Sequence, residues 1–295
     1  MMTGYAQGAY IIMKSVRGLY TVASPDGIIT ECSARGILRK KGKELYVGDY
    51  VLLDNNNVIF EILPRKNEII RPPLANLDQL CFVVSMCEPQ PNLRLLDKFI
   101  AISVYKNIQP LLLLTKIDLA SCEEIYNLYK SIHVPILIAD YQKPETLENI
   151  KLAFKNKISA LTGNSGAGKS TLLNALDKNL KIPTGEISQK LGRGKHTTRH
   201  SQLYKLQDNG YIADTAGFST FDTMRYAIIR KEELANCFPE FAEYQENCKF
   251  HDCSHTCEKG CAVLEAVENN LIPKSRHESY CAMYEESKQI KEWQL

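Results

Sequence analysis

The sequence predicts an α/β domain set between two smaller units, an N-terminal β-barrel and a C-terminal, mainly helical tail. Three observations predict it. Up to about Arg65 the chain is a series of short strand-like runs separated by turn signals, with no helical period. From about Leu80, near-continuous apolar runs alternate with stretches of helical spacing, as expected of parallel strands covered on both faces. After about Phe221 the strands stop, and four cysteines crowd between Cys248 and Cys261 among helical segments. The 295 residues leave room for two or three domains at about 150 residues each. The expected boundaries are 1–65, 66–222 and 223–295.

In the first unit Gly18–Ser24 runs into the turn Pro25-Asp26-Gly27, and Ile28–Ser33, Val47–Asp54 and Val58–Leu63 follow. So many short strands in so short a segment suggest a small closed barrel of the OB type. The basic run Arg39-Lys40-Lys41-Gly42-Lys43 falls between two of them and by itself reads as a solvated hairpin tip. Pro64 and Arg71-Pro72-Pro73 mark a linker. In the second unit the strands are Leu80–Met86, Pro110–Thr115, Pro135–Ala139, Ile158–Thr162 and Tyr211–Asp214. Helices are expected over Leu93–Val104, Ser121–Ser131, Glu145–Lys155 and Lys169–Asp177, which completes a doubly wound α/β pattern. The tail ends in an amphipathic segment, Ser275–Trp293, whose Tyr280, Met283, Tyr284 and Ile290 read as a face packed on its own domain.

Composition excludes several classes. With 44% hydrophobic and 24% charged residues the chain is neither disordered nor collagen-like. Its apolar runs fall far short of the ~18 residues of a membrane span, so no membrane partner is expected. The first twelve residues carry no basic stretch followed by an apolar block, and the expected location is cytoplasmic. Ten cysteines in a chain of this length and compartment point to metal or buried thiols rather than a disulfide scaffold. Cys32, Cys81 and Cys87 stand singly in apolar surroundings. Net charge is +2, with 8 basic and 6 acidic residues over 1–65, 19 and 15 over 66–222, and 9 and 13 over 223–295. A basic front and an acidic tail fit nucleic-acid contact by the front part, though weakly.

Three strand-end elements carry chemistry. Gly163-Asn164-Ser165-Gly166-Ala167-Gly168-Lys169-Ser170 fits G-x-x-x-x-G-K-S/T, between an apolar strand and a helix. Glycines there let backbone N–H groups face phosphate, the Lys169 ammonium meets the β- and γ-phosphates, and the Ser170 hydroxyl can ligate Mg²⁺. Asp214-Thr215-Ala216-Gly217 fits D-x-x-G, an aspartate near Mg²⁺ and a glycine that can sense the γ-phosphate. Thr115-Lys116-Ile117-Asp118 is similar to N-K-x-D, whose carboxylate accepts from the N1–H and exocyclic amine of guanine. Either short motif alone is weak, but all three at the carboxyl edge of one sheet are hard to obtain by chance. Their order differs from that of Ras-like GTPases, in which the phosphate loop comes first. Here Lys116 and Asp118 precede Lys169, so the domain reads as circularly permuted. Between them and Asp214 lies Gly192-Arg193-Gly194-Lys195-His196-Thr197-Thr198-Arg199-His200. It reads either as a plain surface loop or as a switch loop, with Thr198 or its neighbour Thr197 reaching Mg²⁺.

In the tail, Cys248-x₄-Cys253-x-His255-x₅-Cys261 supplies three thiolates and an imidazole, the donor set of a closed structural Zn²⁺ site. Cys257 and His251 are spare, and Cys257 could take the place of His255.

Taken together these residues resemble the RsgA (YjeQ) family of circularly permuted, ribosome small-subunit-dependent GTPases. The resemblance spans nearly the whole chain: the barrel, the segment Arg71–Gln79, Gly163–Thr171, Gly192–Arg199, Asp214–Phe218 and the zinc motif. It implies a permuted P-loop GTPase domain between an OB-like barrel and a zinc-binding helical domain. It also implies 30S-stimulated hydrolysis of GTP to GDP and phosphate, with a role in late 30S maturation. The partners would be the 30S subunit, its 16S rRNA and GTP/GDP; the cofactors, one structural Zn²⁺ per chain and Mg²⁺ with GTP; the chain, a monomer. Thr115–Asp118 and Gly163–Thr171 would bind GTP, Ser170, Thr198 and Asp214 would hold Mg²⁺, and Gly192–Lys195, Thr197 and Gly217 would form the switches. The resemblance also strengthens Cys248, Cys253, His255 and Cys261 as the zinc ligands. Phe218 stands where Ras has its water-positioning Gln, and a phenyl ring cannot orient water. The family assigns that role to a switch-loop histidine, here His196, with His200 as the fallback. The competing readings are a nonenzymatic, nucleotide-sensing rRNA-binding assembly protein and an ATPase of relaxed base choice.

Overall fold

The computed structural model describes residues 8–36, 38, 44–70, 72–177, 202–207, 209–214 and 228–290. Strands β1 (Tyr10–Val16), β2 (Leu19–Ala23), β3 (Ile29–Ala34), β4 (Tyr50–Leu53) and β5 (Val58–Ile62) build the front unit. Their pairing runs β1-β2-β3-β5-β4 and returns from β4 to β1, with β3 and β5 parallel and the other pairs antiparallel. That closed circuit is the OB-like barrel. Ile12, Val22, Val51 and Ile59, one from each of β1, β2, β4 and β5, are fully buried. Strand β1 is absent from the sequence reading because Ile11, Ile12 and Met13 are buried in succession, without the alternation that marks a strand. The basic run at 39–43 lies outside the described residues.

The proline-marked linker is an ordered hairpin, β6 (Glu68–Ile69) with β7 (Leu74–Ala75). Arg65 grips the buried Asp49 through two N–H donors at 2.6 and 2.8 Å and lies over the Tyr46 ring. A Cβ at Gly48 would lie 2.2 Å from the Ala75 carbonyl oxygen, so backbone touches backbone there and only glycine fits. The prolines punctuate this hairpin, which is why its sequence looks like a linker.

The central sheet contains β8 (Gln79–Ser85), β9 (Gln109–Thr115), β10 (Ile136–Ile138), β11 (Ile158–Thr162), β12 (Gln202–Lys205) and β13 (Tyr211–Asp214), in the order β10-β9-β8-β11-β13-β12. All are parallel except β12. Counting β11 first, β12 and β13 follow as second and third and β8 to β10 as fourth to sixth, so the order reads 6-5-4-1-3-2. This is an ordinary wound sheet cut between its third and fourth strands, which is the permutation. Along β8, Leu80, Phe82 and Val84 face one core with Phe99 and Ile100 of α1 (Leu93–Tyr105) and Tyr129 of α2 (Glu123–Ser131). Cys81 and Val83 face the other, with Ile150 and Phe154 of α3 (Pro144–Phe154) and Leu172, Leu173 and Leu176 of α4 (Lys169–Leu176). Cys81 is an inert core thiol, its pKa raised by burial. The short edge strand β12 pairs with β1 through Lys14 and Gln202, so the barrel covers the open edge of the sheet.

The tail carries α5 (Lys231–Leu234), α6 (Ala242–Gln245), α7 (Ala262–Glu268) and α8 (Lys274–Lys288). As expected, Tyr280 and Met283 of α8 are buried. Helix α8 is fastened to α1 by Arg276, which donates at 2.7 Å to both Asp97 and Glu240 with no exposed side-chain surface of its own. Burial opposes the charge, but Glu240 and Asp97 more than offset it and keep the guanidinium protonated. Arg276→Met strands two buried carboxylates and is expected to cost about 3–5 kcal/mol, read as a lower denaturant midpoint. A loss below about 1 kcal/mol would equate it with a surface ion pair. Among the described residues no helix is long and apolar enough to cross a membrane.

Candidate nucleotide site and metal centre

Because β8, β9, β11 and β13 are parallel, their carboxyl ends share one edge, with Thr162 beside Phe82, Ser85 beside Thr115 and Asp214 beside Leu161. This brings Thr115–Asp118, Gly163–Thr171 and the Asp214 backbone to one rim. Gly163 has φ +141° and a Cβ there would lie 2.4 Å from the Val83 carbonyl oxygen, so the loop begins tightly against β8. Gly168, at φ +93°, precedes α4 without any side-chain cap, leaving the first N–H groups of that helix for an anion. Lys169 folds back over the loop and donates to the carbonyl oxygens of Gly163 at 2.7 Å and Asn164 at 2.8 Å. Asn164, Lys169 and Ser170 are half-buried, while Ser165 and Thr171 are exposed at the rim.

The Thr115–Asp118 segment joins this loop directly. Thr115 is buried, and its hydroxyl donates to the Ala167 carbonyl oxygen at 2.7 Å. The Thr115 hydroxyl is thus committed to the phosphate loop. Lys116, at φ +55°, places its ammonium on the Glu88 carbonyl oxygen, while Asp118 is exposed. The loop after β8 therefore forms part of the wall, with Pro89 and Asn92 across a small crevice from Asn164 and Ala167. The sequence reading missed this wall, since no phosphate or base motif marks Glu88 or Pro89. The residues expected to form the switches, Gly192–Lys195, His196, Thr197, Thr198 and Gly217, lie outside the described residues, as do His200 and Phe218.

In the tail, Cys248, Cys253, His255 and Cys261 converge with all four donor atoms within 4.8 Å of one another. His255 Nδ1 lies 3.5 Å from the sulfurs of both Cys248 and Cys261, and those sulfurs are 3.8 Å apart. A tetrahedron with Zn–S of about 2.3 Å and Zn–N of about 2.05 Å has edges of about 3.8 and 3.6 Å. The donors fit zinc. Cys257 is exposed and outside the cluster, so the imidazole fills the fourth place. Burial lowers the His255 pKa and keeps the ring neutral, as a metal ligand must be. The ligand loop is braced from α8: His277 Nε2 is 2.7 Å from the His255 carbonyl oxygen and the Tyr280 hydroxyl 2.7 Å from that of Ser254. Burial opposes ionisation of Glu258, but donors from Ser254 and Cys257 hold its pKa at about 2.

The profile of the RsgA GTPase family matches residues 62–224, and that of the RsgA N-terminal domain matches residues 9–58. The chain belongs to the RsgA GTPase family. Among its RsgA relatives, the small ribosomal subunit biogenesis GTPase RsgA of Caldanaerobacter subterraneus subsp. tengcongensis is 41% identical over 285 residues, covering 94% of this chain and 95% of the relative. The protein of the same name from Bacillus cereus is 39% identical over 290 residues, covering 95% and 97%. Crystal structures agree: YjeQ from Thermotoga maritima superposes with a TM-score of 0.80 at 31% identity, covering 96% of this chain and 99% of that one. YloQ, described as a circularly permuted GTPase, gives 0.79 at 30%, covering 99% and 98%. The permuted order and the Cys/His cluster are thus properties of an RsgA chain.

In this RsgA chain Thr115→Val would leave the buried Ala167 carbonyl without its donor. That loss, about 1–3 kcal/mol, is expected to speed GDP dissociation about 5- to 140-fold while leaving the preference for GTP over ATP unchanged. An unaltered dissociation rate would show that the hydroxyl does not anchor the loop.

Proposed function

We propose that this chain hydrolyses GTP to GDP and phosphate while bound to the 30S subunit, that the subunit stimulates the reaction, and that the cycle serves late 30S maturation. The observation that carries the reading is the shared rim: a phosphate loop with its lysine in place, joined by Thr115 to a Lys-x-Asp element. Membership of a family whose relatives are named small ribosomal subunit biogenesis GTPases supports the partner.

In this reading the N–H groups of Gly163–Ser170 and the Lys169 ammonium cradle the β- and γ-phosphates, and Asp118 reads the guanine edge. Thr115, Lys116, Ile117 and Thr171 complete the nucleotide shell. Ser170, Thr198 and Asp214 would hold Mg²⁺, which neutralises charge between the phosphates when bound. Gly192–Lys195, Thr197 and Gly217 respond to the γ-phosphate, and His196 orients the attacking water where Phe218 cannot. Cys248, Cys253, His255 and Cys261 hold one structural Zn²⁺. Residues 1–65 act as an rRNA-binding barrel, 66–222 as the GTPase domain and 223–295 as the zinc domain of a cytoplasmic monomer.

The test is cosedimentation with 30S subunits in the presence of GDP or a non-hydrolysable GTP analogue. The reading expects tighter binding with the analogue, and affinity that falls steeply with salt, as counterion release from rRNA requires. Equal, salt-independent binding in both states would contradict it.

A further inference from the structure

The turn between the first two zinc ligands, Lys249-Phe250-His251-Asp252, is built unlike the rest of the tail. Among the described residues of the tail, Phe238, Phe241, His255, His277 and Tyr280 pack ring on ring inside. Phe250 is 47% exposed, and among the described residues no ring packs on it. An isolated exposed apolar side chain needs no explanation. This one differs in how it is held and in what surrounds it.

The turn is fixed through its backbone and the two cysteines that flank it. The Lys249 N–H donates to the Gly260 carbonyl oxygen at 3.0 Å, the Cys253 N–H to that of Phe250 at 3.3 Å, and Cys248 and Cys253 belong to the metal cluster on either side. Gly260, at φ +81°, leaves room for the Lys249 stem, which lies 3.1 Å from where a Cβ would sit. The Lys249 ammonium rests 5.5 Å from the Phe250 ring centre. The ring is thus presented on a turn held by backbone hydrogen bonds and the flanking cysteines, with the Lys249 ammonium over its face.

The charges around it run against the tail as a whole. Residues 223–295 carry 9 basic and 13 acidic side chains, yet Lys249, His251 and Lys259 are all exposed at this tip. Of the two acids in the stretch, Glu258 is occupied by donors from Ser254, Thr256 and Cys257, which leaves Asp252 alone facing solvent. An exposed, pre-positioned aromatic ring with cations beside it is what unpaired nucleic-acid bases stack on.

We propose that Lys249–Asp252 is a base-stacking tip, in which Phe250 takes an unpaired base of small-subunit rRNA and Lys249 and Lys259 meet the adjoining phosphates. The inference rests on the proposed 30S partnership and adds to it a specific contact by the zinc domain. The test compares 30S affinity of the full chain with Phe250→Ala and Phe250→Tyr, each checked for one zinc per chain and unchanged GTP hydrolysis without subunits. Loss of stacking is expected to weaken binding by alanine about 5- to 140-fold and to leave tyrosine within about twofold of the parent. p-Azidophenylalanine placed at position 250 and irradiated on the subunit is expected to label rRNA. Equal affinity of parent and alanine variant overturns the tip while leaving the partnership intact. Label confined to ribosomal proteins overturns it in favour of an apolar protein pocket. A parent chain that does not bind 30S subunits at all overturns both readings.

Discussion

Lys169→Ala is expected to slow 30S-stimulated GTP hydrolysis by about 10²- to 10³-fold, the usual loss when one fixed donor to developing charge is removed. The ammonium already stands at the loop, held by the Gly163 and Asn164 carbonyl oxygens. No large reorganisation is then needed when phosphate arrives, and a charge positioned beforehand stabilises the transition state most. The loss belongs mainly in kcat, measured at saturating GTP, because the loop N–H groups still bind the phosphates. A decrease of less than about threefold would remove Lys169 from the chemistry.

Removing zinc is expected to unfold the tail. Structural zinc contributes about 10–16 kcal/mol in small peptides at neutral pH, against about 5–15 kcal/mol for the whole stability of a domain. The segment from Cys248 to Cys261 has little regular structure, and α7 begins directly after its last ligand. Chelation or Cys261→Ser should therefore remove hydrogen-exchange protection from α7 and from the α8 turn bearing His277 and Tyr280. The barrel should stay protected. Cys257→Ser should keep the metal, since that thiol is exposed and outside the cluster; zinc loss in this control would contradict the assignment of His255. The pH dependence has a definite sign. The folded pKa of His255 lies below its ordinary 6.5, with burial as the first cause. Its contribution is full above that value and falls as pH drops through and below it, where protons also compete for the thiolates. Zinc release should rise on acidification below about pH 6.5 and be absent between pH 7 and 8.

Much of this was legible in the sequence because the decisive patterns are local. The phosphate loop is eight consecutive residues between an apolar strand and a helix, and the metal set spans fourteen, so short stretches of sequence point to their chemistry. The wound sheet was legible because Leu80–Met86 and Pro110–Thr115 are near-continuous apolar runs. Strands β1 and β12 were not. Buried residues follow one another in β1, and β12 is a four-residue edge strand stabilised by pairing with β13 and β1 rather than by its own composition. Contacts between distant positions were equally hidden. The Thr115 hydroxyl reaches Ala167 across 52 residues and Arg276 reaches Asp97 across 179, distances over which no single-sequence pattern speaks. The proline signal at 64–73 reads as a linker because a tightly packed hairpin and a loose connection share the same turn residues.

The central claim is most directly tested by GTP turnover of the purified chain with and without 30S subunits, beside Lys169→Ala. The account predicts slow turnover alone, strong stimulation by the subunit, and loss of that stimulation in the variant. Tight GTP binding with no stimulation by 30S subunits would contradict it and leave a nucleotide-sensing assembly protein in its place.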